Sequence, residues 1–485
     1  MNEPTHNTTN GSNRWGVPIH EVEELGNRLR RYYERYCNHV RTKTRDTSEY
    51  GFWYLSGLLR MESKRTMAGI GRSSNISEQN MHHFISKSPW SAEPLVAEIQ
   101  GEIRVHPAFQ SEAMLIFDES ADGKTGDKSV GAGRQHNGRL GKIEMSQVGV
   151  FASLVTPQVN LWIDGELYLP KHWFDDDYKE QRTKVGIPKE RVFCTKPELV
   201  WDLVQRIQQN QVPFVAVAMD DLYGRNHELR QKLDDADVEY YGDVPANTRI
   251  YFDKPSVHYV QGKRAKNPKR TVVAQGSATV AECFLKGEME RATVTLRPSE
   301  RGMLVADFAR CRVWTLVGDT PRQEWLLVRR SGKYITYVLS NAPTTTSLQA
   351  MAWRKSHRYF IERSNQDAKS ELGWDDFQAT KYLAWQHHLA FTILASWFVA
   401  QTRLDWLQRF PTDPKLLVDY QTNALPQLSV ANVRELLRAA MPLPQLSAER
   451  AVELVMQHLV NRTRSRTSRL RRQPFLPSQD PVPEM

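Results

Sequence analysis

The spacing of apolar residues predicts helices in the first hundred residues of the chain. Apolar and aromatic side chains recur every three to four positions over residues 22–40, as in an amphipathic helix. Ser77 can cap a helix that runs to about Ser86, and the segment SPWS precedes another helix that ends near Arg104. Two short helices around a tight turn resemble a helix-turn-helix that reads DNA, but helix pairs in ordinary bundles have the same pattern.

From about residue 113 the pattern changes to that of an α/β sheet. The predicted elements are three strands, a helix, a buried strand and a helix, at 113–117, 143–155, 159–163, 197–209, 214–219 and 226–235. Strands joined by short turns favour antiparallel pairing, whereas the helical crossover favours a parallel pairing of strand 214–219 with strand 113–117. This is the order of a ribonuclease-H-like sheet.

A run of strands without intervening helices is predicted between residues 248 and 340. These strands lie at 250–252, 271–274, 293–296, 311–316, 325–328 and 334–339. We interpret the segment as a β-rich insertion. Its loop 262–270 holds five basic residues and is either a DNA contact or a solvated charged loop.

Helical spacing returns towards the end of the chain, over residues 353–404, 430–440 and 448–460. Six arginines then lie between residues 462 and 472 and four prolines follow, which predicts a disordered, phosphate-binding tail.

The predicted regions are a disordered N-terminus (1–17), a helical DNA-binding domain (18–107), a ribonuclease-H-like, or retroviral-integrase-like, catalytic core (108–245 and 346–405) interrupted by the β-rich insertion (246–345), a helical C-terminal region (406–461) and the basic tail (462–485).

Composition and charge narrow the class of partner. Hydrophobic residues make up 40% and charged residues 25% of the chain, which is ordinary for a globular protein. The net charge of +9 attracts polyanions, so nucleic acid is the first partner to consider. The chain begins without the basic and apolar regions of a signal peptide, and its longest apolar run, 389–400, is too short to cross a bilayer. We expect a cytoplasmic protein with no membrane partner.

Two aspartates follow predicted buried strands. Asp118 ends the apolar strand in LIFDES, and Asp220 follows the strand in VAVAMDDLYG. If the two strands are parallel neighbours, their carboxylates meet at one edge of the sheet. Carboxylate oxygens suit Mg²⁺, and two such ions can share one site. Histidine and cysteine are not required, and none of the four cysteines forms a CxxC pair.

A third carboxylate is expected from a helix packed against the sheet, and Glu362 is the candidate. Arg358 lies four residues before it and Lys369 seven after it, so a continuous helix presents all three side chains, with Asn365, on one face. Basic residues on both sides of a carboxylate suit the binding of phosphates beside a metal. Taken singly, an Asp after a strand is usually a turn or cap residue, and Arg358 with Glu362 is an ordinary helical ion pair.

Together these residues resemble the DDE transposases of bacterial insertion sequences, and in particular the insertion-sequence-701 family. That family is related to the cut-and-paste group with a Tyr-x2-Arg-x3-Glu-x6-Lys signature and a β-rich insertion. Arg358, Glu362 and Lys369 match the spacing, whereas Lys355 stands at the tyrosine position. The segments KSVGAGRQHNGRLGKIEMSQVGVF, LYLPKHWFDDD, TKPEL and MDDLYG add to the likeness, which covers about residues 80–400. In the family the second aspartate lies three residues before a Tyr-Gly pair, which selects Asp220.

The resemblance implies a function and a set of partners. The enzyme would bind the terminal inverted repeats of its element and catalyse DNA cleavage and strand transfer with two Mg²⁺ ions, or Mn²⁺ in their place. Asp118 would contact both ions, and Asp220 and Glu362 would each complete one shell. Arg358 and Lys369 would hold DNA phosphates. The resemblance also implies a homodimer on double-stranded transposon-end and target DNA, near the bacterial nucleoid.

Excision in the related cut-and-paste enzymes passes through a DNA hairpin, which implies a flipped base stacked on an aromatic side chain. Trp314 and Trp325 are candidates for that side chain, although tryptophans in strands are more often core residues. Two alternative functions remain at the level of sequence. One is a catalytically silent DNA-binding protein derived from a transposase, and the other is a metal-dependent nuclease without strand transfer.

Overall fold

The computed structural model describes residues 17–472 except 138–140, 261–268, 275, 287, 300–301, 412–417, 419–426 and 445–446. Three predicted features therefore lie wholly or mostly outside the described residues: the disordered N-terminus, the basic loop 262–270 and the proline-rich end of the tail. Among the described residues, no helix is both long enough and apolar enough to cross a membrane.

Helices form the first part of the chain. They are α1 (Ile19–Glu23), α2 (Leu25–Glu34), α3 (Ser48–Arg60), α4 (Met67–Ser73), α5 (Glu78–Ser86) and α6 (Ala92–Val105), with 3-10 turns at Cys37–Val40 and Pro107–Phe109. The helix predicted over 22–40 is thus divided into two helices and a 3-10 turn. The two helices predicted around residues 77–104 correspond to α5 and α6.

A mixed sheet follows, as the spacing of apolar residues predicts. Its strands are β1 (Met114–Gly123), β2 (Gly133–Asn137), β3 (Lys142–Val155), β4 (Asn160–Tyr168), β5 (Ala216–Met219) and β6 (Tyr240–Val244). The helices between them are α7 (Lys179–Val185), α8 (Lys196–Gln209), α9 (Asp221–Gly224) and α10 (His227–Asp235). Strands β1, β3 and β4 pair antiparallel, whereas β5 pairs parallel with both β1 and β6. The predicted α/β class and the parallel pairing of the two aspartate-bearing strands are confirmed.

The β-rich segment contains all six predicted strands and continues the same sheet. Its elements are β7 (Arg249–Tyr251), β8 (Ser256–Val260), β9 (Lys269–Val273), β10 (Ser277–Thr279), α11 (Val280–Lys286), β11 (Glu290–Ser299), β12 (Gly302–Val317), β13 (Thr320–Ser331) and β14 (Tyr334–Ser340). Strand β14 pairs antiparallel with β6. All the described strands except the β8–β9 hairpin therefore form one sheet of twelve.

A buried ion pair connects the β-rich segment to the first part of the sheet. The Arg230 side chain on α10 and the Glu324 side chain on β13 are both fully buried, with Nε and Oε1 3.0 Å apart. The Tyr240 hydroxyl on β6 donates to the same Glu324 oxygen at 2.6 Å. Because an unpaired charge is costly in such surroundings, these partners fix the relative position of α10, β6 and β13.

The C-terminal part is again helical. It contains α12 (Leu348–Ser356), α13 (Tyr359–Gln366), a π-helical turn (Asp367–Glu371), a 3-10 turn (Trp374–Asp376), α14 (Tyr382–Arg409), α15 (Val430–Ala440) and α16 (Ala448–Arg472). Two expectations are corrected. The segment from Arg358 to Lys369 is not one continuous helix, and the arginine run up to Arg472 is helical rather than disordered.

The largest hydrophobic core surrounds α14. Most side chains of this helix are buried, and they pack with apolar residues of α2–α6, β3, β4 and α8. A helix that is apolar on all sides needs neighbours on all sides, which the N-terminal helices supply. The N-terminal helices therefore share a core with the sheet. The division of the chain into domains stays a prediction.

Candidate active site

The two aspartates lie side by side at the end of a parallel strand pair. The register between β1 and β5 joins Met114 with Ala216 and ends with Phe117 opposite Met219. Asp118 and Asp220 are the residues that follow Phe117 and Met219 on these two segments. Strand β5 ends there, but β1 continues to Gly123, so the expectation that Asp118 ends its strand is wrong; only the apolar part of the strand ends.

Each aspartate is held by backbone amide groups. Asp220 is the N-cap of α9, and its Oδ1 accepts from the amides of Leu222 at 3.0 Å and Tyr223 at 3.3 Å. Asp118 Oδ1 accepts from the amide of Glu119 at 2.9 Å. Capping is the ordinary structural role of an aspartate in this position. It also fixes the Asp220 carboxylate at the edge of the sheet next to Asp118, which we call the rim.

Burial and neighbouring negative charge raise the pKa values of both aspartates. Burial, the charge of Asp220 and the charge of Glu119 raise the pKa of Asp118 to about 7. Burial and the charge of Glu119 raise the pKa of Asp220 to about 6. The positive charge of Arg358 lowers the pKa of both aspartates, so Arg358 also lies close to them. Excess negative charge in a half-buried site is the condition that a cation relieves.

Glu119 is a third acid beside the pair, and sequence analysis did not select it. Its carboxylate accepts from Lys196 Nζ at 2.9 Å and from the Tyr223 hydroxyl at 2.9 Å. The Tyr223 contact connects Glu119 to α9, the helix that Asp220 caps. The two contacts hold the Glu119 carboxylate beside the pair of aspartates. Its place next to Asp118 in the sequence is the signal that could have identified it.

Helix α13 packs beside Asp118, but the residue that contacts Asp118 is Asn365 and not Glu362. Asn365 Nδ2 donates to Asp118 Oδ2 at 3.3 Å, and Asn365 Oδ1 accepts from the indole of Trp162 at 2.9 Å. Glu362 lies three residues before Asn365, about one helical turn away, and its side chain is exposed. Within the described residues, no group of three or more acidic, histidine or cysteine side chains is close enough to hold a metal ion.

Arg358 lies at the break between α12 and α13 rather than on a continuous helical face. It is the N-cap residue of α13, and its Nε is 3.1 Å from Asp243 Oδ2 at the end of β6. The buried Lys355, which occupies the tyrosine position of the family signature, pairs with the other oxygen of Asp243. Asp243 is not among the residues predicted from the sequence, although an acid near the end of the next parallel strand is a recognisable signal.

Lys369 lies in the π-helical turn and contacts the extension of β1. Its Nζ donates to the carbonyl of Ala121 at 3.0 Å and lies 3.9 Å from Asp375. The wider π turn places Lys369 differently from the regular helix that the spacing predicts. Arg358 and Lys369 are nevertheless both near β1, on either side of Asn365.

The residues of the rim suit a divalent cation of the Mg²⁺ type. Asp118 and Asp220 offer hard oxygen ligands, and their raised pKa values reflect negative charge held in partial burial. The rest of a shell around Mg²⁺ is commonly supplied by water and substrate phosphate. These two carboxylates therefore fit the divalent metal expected from the sequence.

The two tryptophans considered for base stacking lie in the β-rich segment. Trp325 is half-buried, donates from Nε1 to the carbonyl of Ala342 at 3.0 Å, and has the guanidinium of Arg310 4.4 Å from its ring. Trp314 is half-buried, with Lys254 Nζ 5.8 Å from its ring. The stacking of either indole on a flipped base stays a prediction.

Comparison with known proteins decides the family. The family described as DDE superfamily endonuclease matches residues 35–301, more than half of the chain. The chain belongs to the DDE superfamily endonucleases. It is also 24% identical over 361 residues to a probable transposase for insertion sequence element IS701 of Microchaete diplosiphon, which covers 73% of this chain and 83% of that protein. The two findings confirm the predicted DDE transposase class and the predicted resemblance to the insertion-sequence-701 family, and with them that the chain is an enzyme.

Proposed function

We propose that this DDE enzyme binds the terminal inverted repeats of its own insertion sequence and cuts and joins DNA there, with Asp118, Asp220 and Glu362 holding two divalent ions. The observation that carries the proposal is the pair of in-register carboxylates at the end of β1 and β5. Both aspartates lie within the residues that match the family. Glu362 lies beyond them and is proposed from the spacing of its neighbours.

The chain's own residues have distinct roles in the proposal. Asp118 and Asp220 are fixed at the rim by backbone amides, and Asn365 orients the Asp118 oxygen that faces α13. Glu362 is one turn from Asn365, so a small rotation or shift of α13 when DNA binds would bring it to the rim. Arg358 and Lys369 would exchange their present partners for DNA phosphates.

Bound divalent ions supply Lewis acidity and lower the pKa of water, which allows attack on a phosphodiester without a covalent protein intermediate. The protein's contribution is the negative charge that retains the ions and the cations that orient the DNA. We propose the N-terminal helices α1–α6 as the region that recognises the repeats, and a dimer on DNA as the state that holds two ends together.

Metal dependence is the direct test of the function. Purified protein with 5′-labelled duplex copied from the DNA that flanks the reading frame is expected to give specific cuts with Mg²⁺ or Mn²⁺ and none with EDTA. A supercoiled target plasmid added to the same reaction separates two functions: joined products indicate strand transfer, and cuts alone indicate a nuclease. Specific binding without cuts under any metal would support the silent DNA-binding protein instead.

The pH dependence of stability tests the raised pKa of Asp118, which is caused first by burial and then by the charges of Asp220 and Glu119. Asp118 has a folded-state pKa near 7, above its unfolded value of 3.8. Its protonated form therefore stabilises the fold below pH about 4, and this stabilisation is lost as the pH rises towards 7. In EDTA, Asp118→Asn is expected to raise the melting temperature above wild type by an amount that grows between these pH values and is constant above pH 8. A difference independent of pH would contradict the raised pKa of Asp118.

A further inference from the structure

A group of basic side chains lies beside the carboxylate rim, on the sheet face that α12 and α13 cover. Arg329 on β13 is opposite Phe308 of β12, and Arg297 on β11 is opposite Leu304 of β12. Leu304 and Phe308 are four residues apart and so face the same side of the sheet. Both join the apolar cluster that also contains Ile361 of α13. The β-rich segment thus brings two arginines to the helix that carries Glu362.

We call Arg297, Arg329, Lys355 and Arg358 the basic cluster. Asp243 is the acid at its centre: it pairs with Lys355 and lies 3.1 Å from Arg358, and its charge also acts on Arg329. The remaining cations crowd one another. Burial and the nearby charge of Arg297 lower the pKa of Arg329. Burial lowers the pKa of Lys355, and the charge of Arg358 lowers it further.

One buried hydrogen-bond donor of the basic cluster lacks an acceptor within the described part of the protein. Arg329 Nε is buried and has no hydrogen-bond partner among the described residues. A buried, unsatisfied donor on a charged group is costly, and the cost is recovered when an anion arrives.

The basic cluster reaches solvent next to the carboxylate rim. Arg358 is 26% exposed and its charge acts on Asp118 and Asp220. Tyr359, the next residue, is 56% exposed, and the guanidinium of Arg297 lies 4.7 Å from its ring. Tyr359 is three residues before Glu362. A ligand that contacts Arg297, Tyr359 and Arg358 would therefore lie alongside the rim.

We propose that Arg297 and Arg329 join Arg358 in one phosphate-binding site, which takes a backbone phosphodiester of the DNA next to the cleavage position. The inference rests on the proposed function and names which part of the β-rich segment contacts DNA. Asp243 is a positioning residue: it holds Arg358 and Lys355 in place and is displaced from Arg358 when the phosphate binds. Arginine suits this site because its planar guanidinium pairs with two phosphate oxygens at once.

The test measures binding of a fluorescent duplex, copied from the DNA that flanks the reading frame, in EDTA at a series of NaCl concentrations. Each phosphate contact contributes about 0.9 to the slope of log affinity against log salt. The double variant Arg297→Gln with Arg329→Gln is expected to lower that slope by about 1 to 2 and to weaken binding about 10- to 100-fold. Asp243→Asn is expected to strengthen binding, because it frees Arg358.

Arg330→Gln is the matched control. Arg330 follows Arg329 on β13, points to the opposite face of the sheet and is exposed, so its loss is expected to change affinity less than about twofold. Arg297→Gln alone keeps the test valid if the double variant does not fold, which circular dichroism would show. Unchanged affinity and slope in a folded Arg297→Gln protein, or an equal loss in Arg330→Gln, would overturn the inference.

Binding and cutting separate this inference from the proposed function. If the phosphate site is absent but the function is right, the Arg297→Gln protein cuts DNA with Mg²⁺ at the wild-type half-saturating DNA concentration. If the function is wrong but the site is present, no variant cuts, and the salt slope still falls in Arg297→Gln.

Discussion

Asp118→Asn and Asp220→Asn are each expected to reduce the rate of DNA-end cleavage by about 10³-fold or more. Each change removes one charged ligand while keeping the size of the side chain, and the loss of several kcal/mol of charge stabilisation corresponds to that factor. DNA binding in EDTA should stay within about threefold of wild type, because neither carboxylate attracts phosphate. Single-turnover cleavage of labelled duplex, with binding measured in parallel, checks both statements.

Asp221→Asn is the matched control for this pair. Asp221 follows Asp220 directly, is exposed and lies in the first turn of α9. The pairing of β5 with β1 ends at Met219, so Asp220 and not Asp221 is the residue next to Asp118. The control variant is expected to cut at close to the wild-type rate. If Asp221→Asn abolished cleavage and Asp220→Asn did not, the choice between the two neighbouring aspartates would be reversed.

Glu362→Gln is expected to reduce cleavage by a similar factor of about 10³ for a different structural reason. Its side chain is exposed in the structure, so the change should alter the free energy of unfolding by no more than about 0.5 kcal/mol. Asp118→Asn, by contrast, should stabilise the metal-free protein. If Glu362 becomes a metal ligand only when DNA binds, its replacement should abolish cleavage and leave stability unchanged. Thermal unfolding and single-turnover cleavage of the same preparations measure it.

Glu228→Gln provides the control for Glu362. It is another exposed helical glutamate, on α10, and its replacement should leave both cleavage and stability unchanged. Cleavage by Glu362→Gln within a few-fold of wild type would remove Glu362 from the proposed metal site. The third acid would then have to be sought elsewhere, first at Glu119.

Sequence pattern predicted the sheet well because its signals are local. The apolar runs around Asp118 and Asp220 mark buried strands, and the helical crossover between them dictates parallel pairing. The pattern did not predict that β14 would pair with β6, because a strand's own residues do not specify which distant edge it will join. The β-rich segment was therefore expected as an interruption of the core and is found as an extension of its sheet.

The environment of α13 was harder to predict, because it depends on irregular backbone. The spacing predicts one helix from Arg358 to Lys369. In the structure α13 begins only at Tyr359, and the helix widens into a π turn after Gln366. The first change makes Arg358 an N-cap held by Asp243, and the second redirects Lys369 towards β1. Asn365, three residues after Glu362, is consequently the side chain that contacts Asp118.

The central claim is that Asp118, Asp220 and Glu362 hold divalent ions together when DNA is bound. Anomalous diffraction from Mn²⁺ in crystals of the protein with a duplex of its flanking DNA tests this claim directly. The expected result is Mn²⁺ density between Asp118 and Asp220, with Glu362 brought to coordinating distance by a shift of α13. Mn²⁺ bound at other acids, or a site formed on DNA with Glu362 still in solvent, would contradict it.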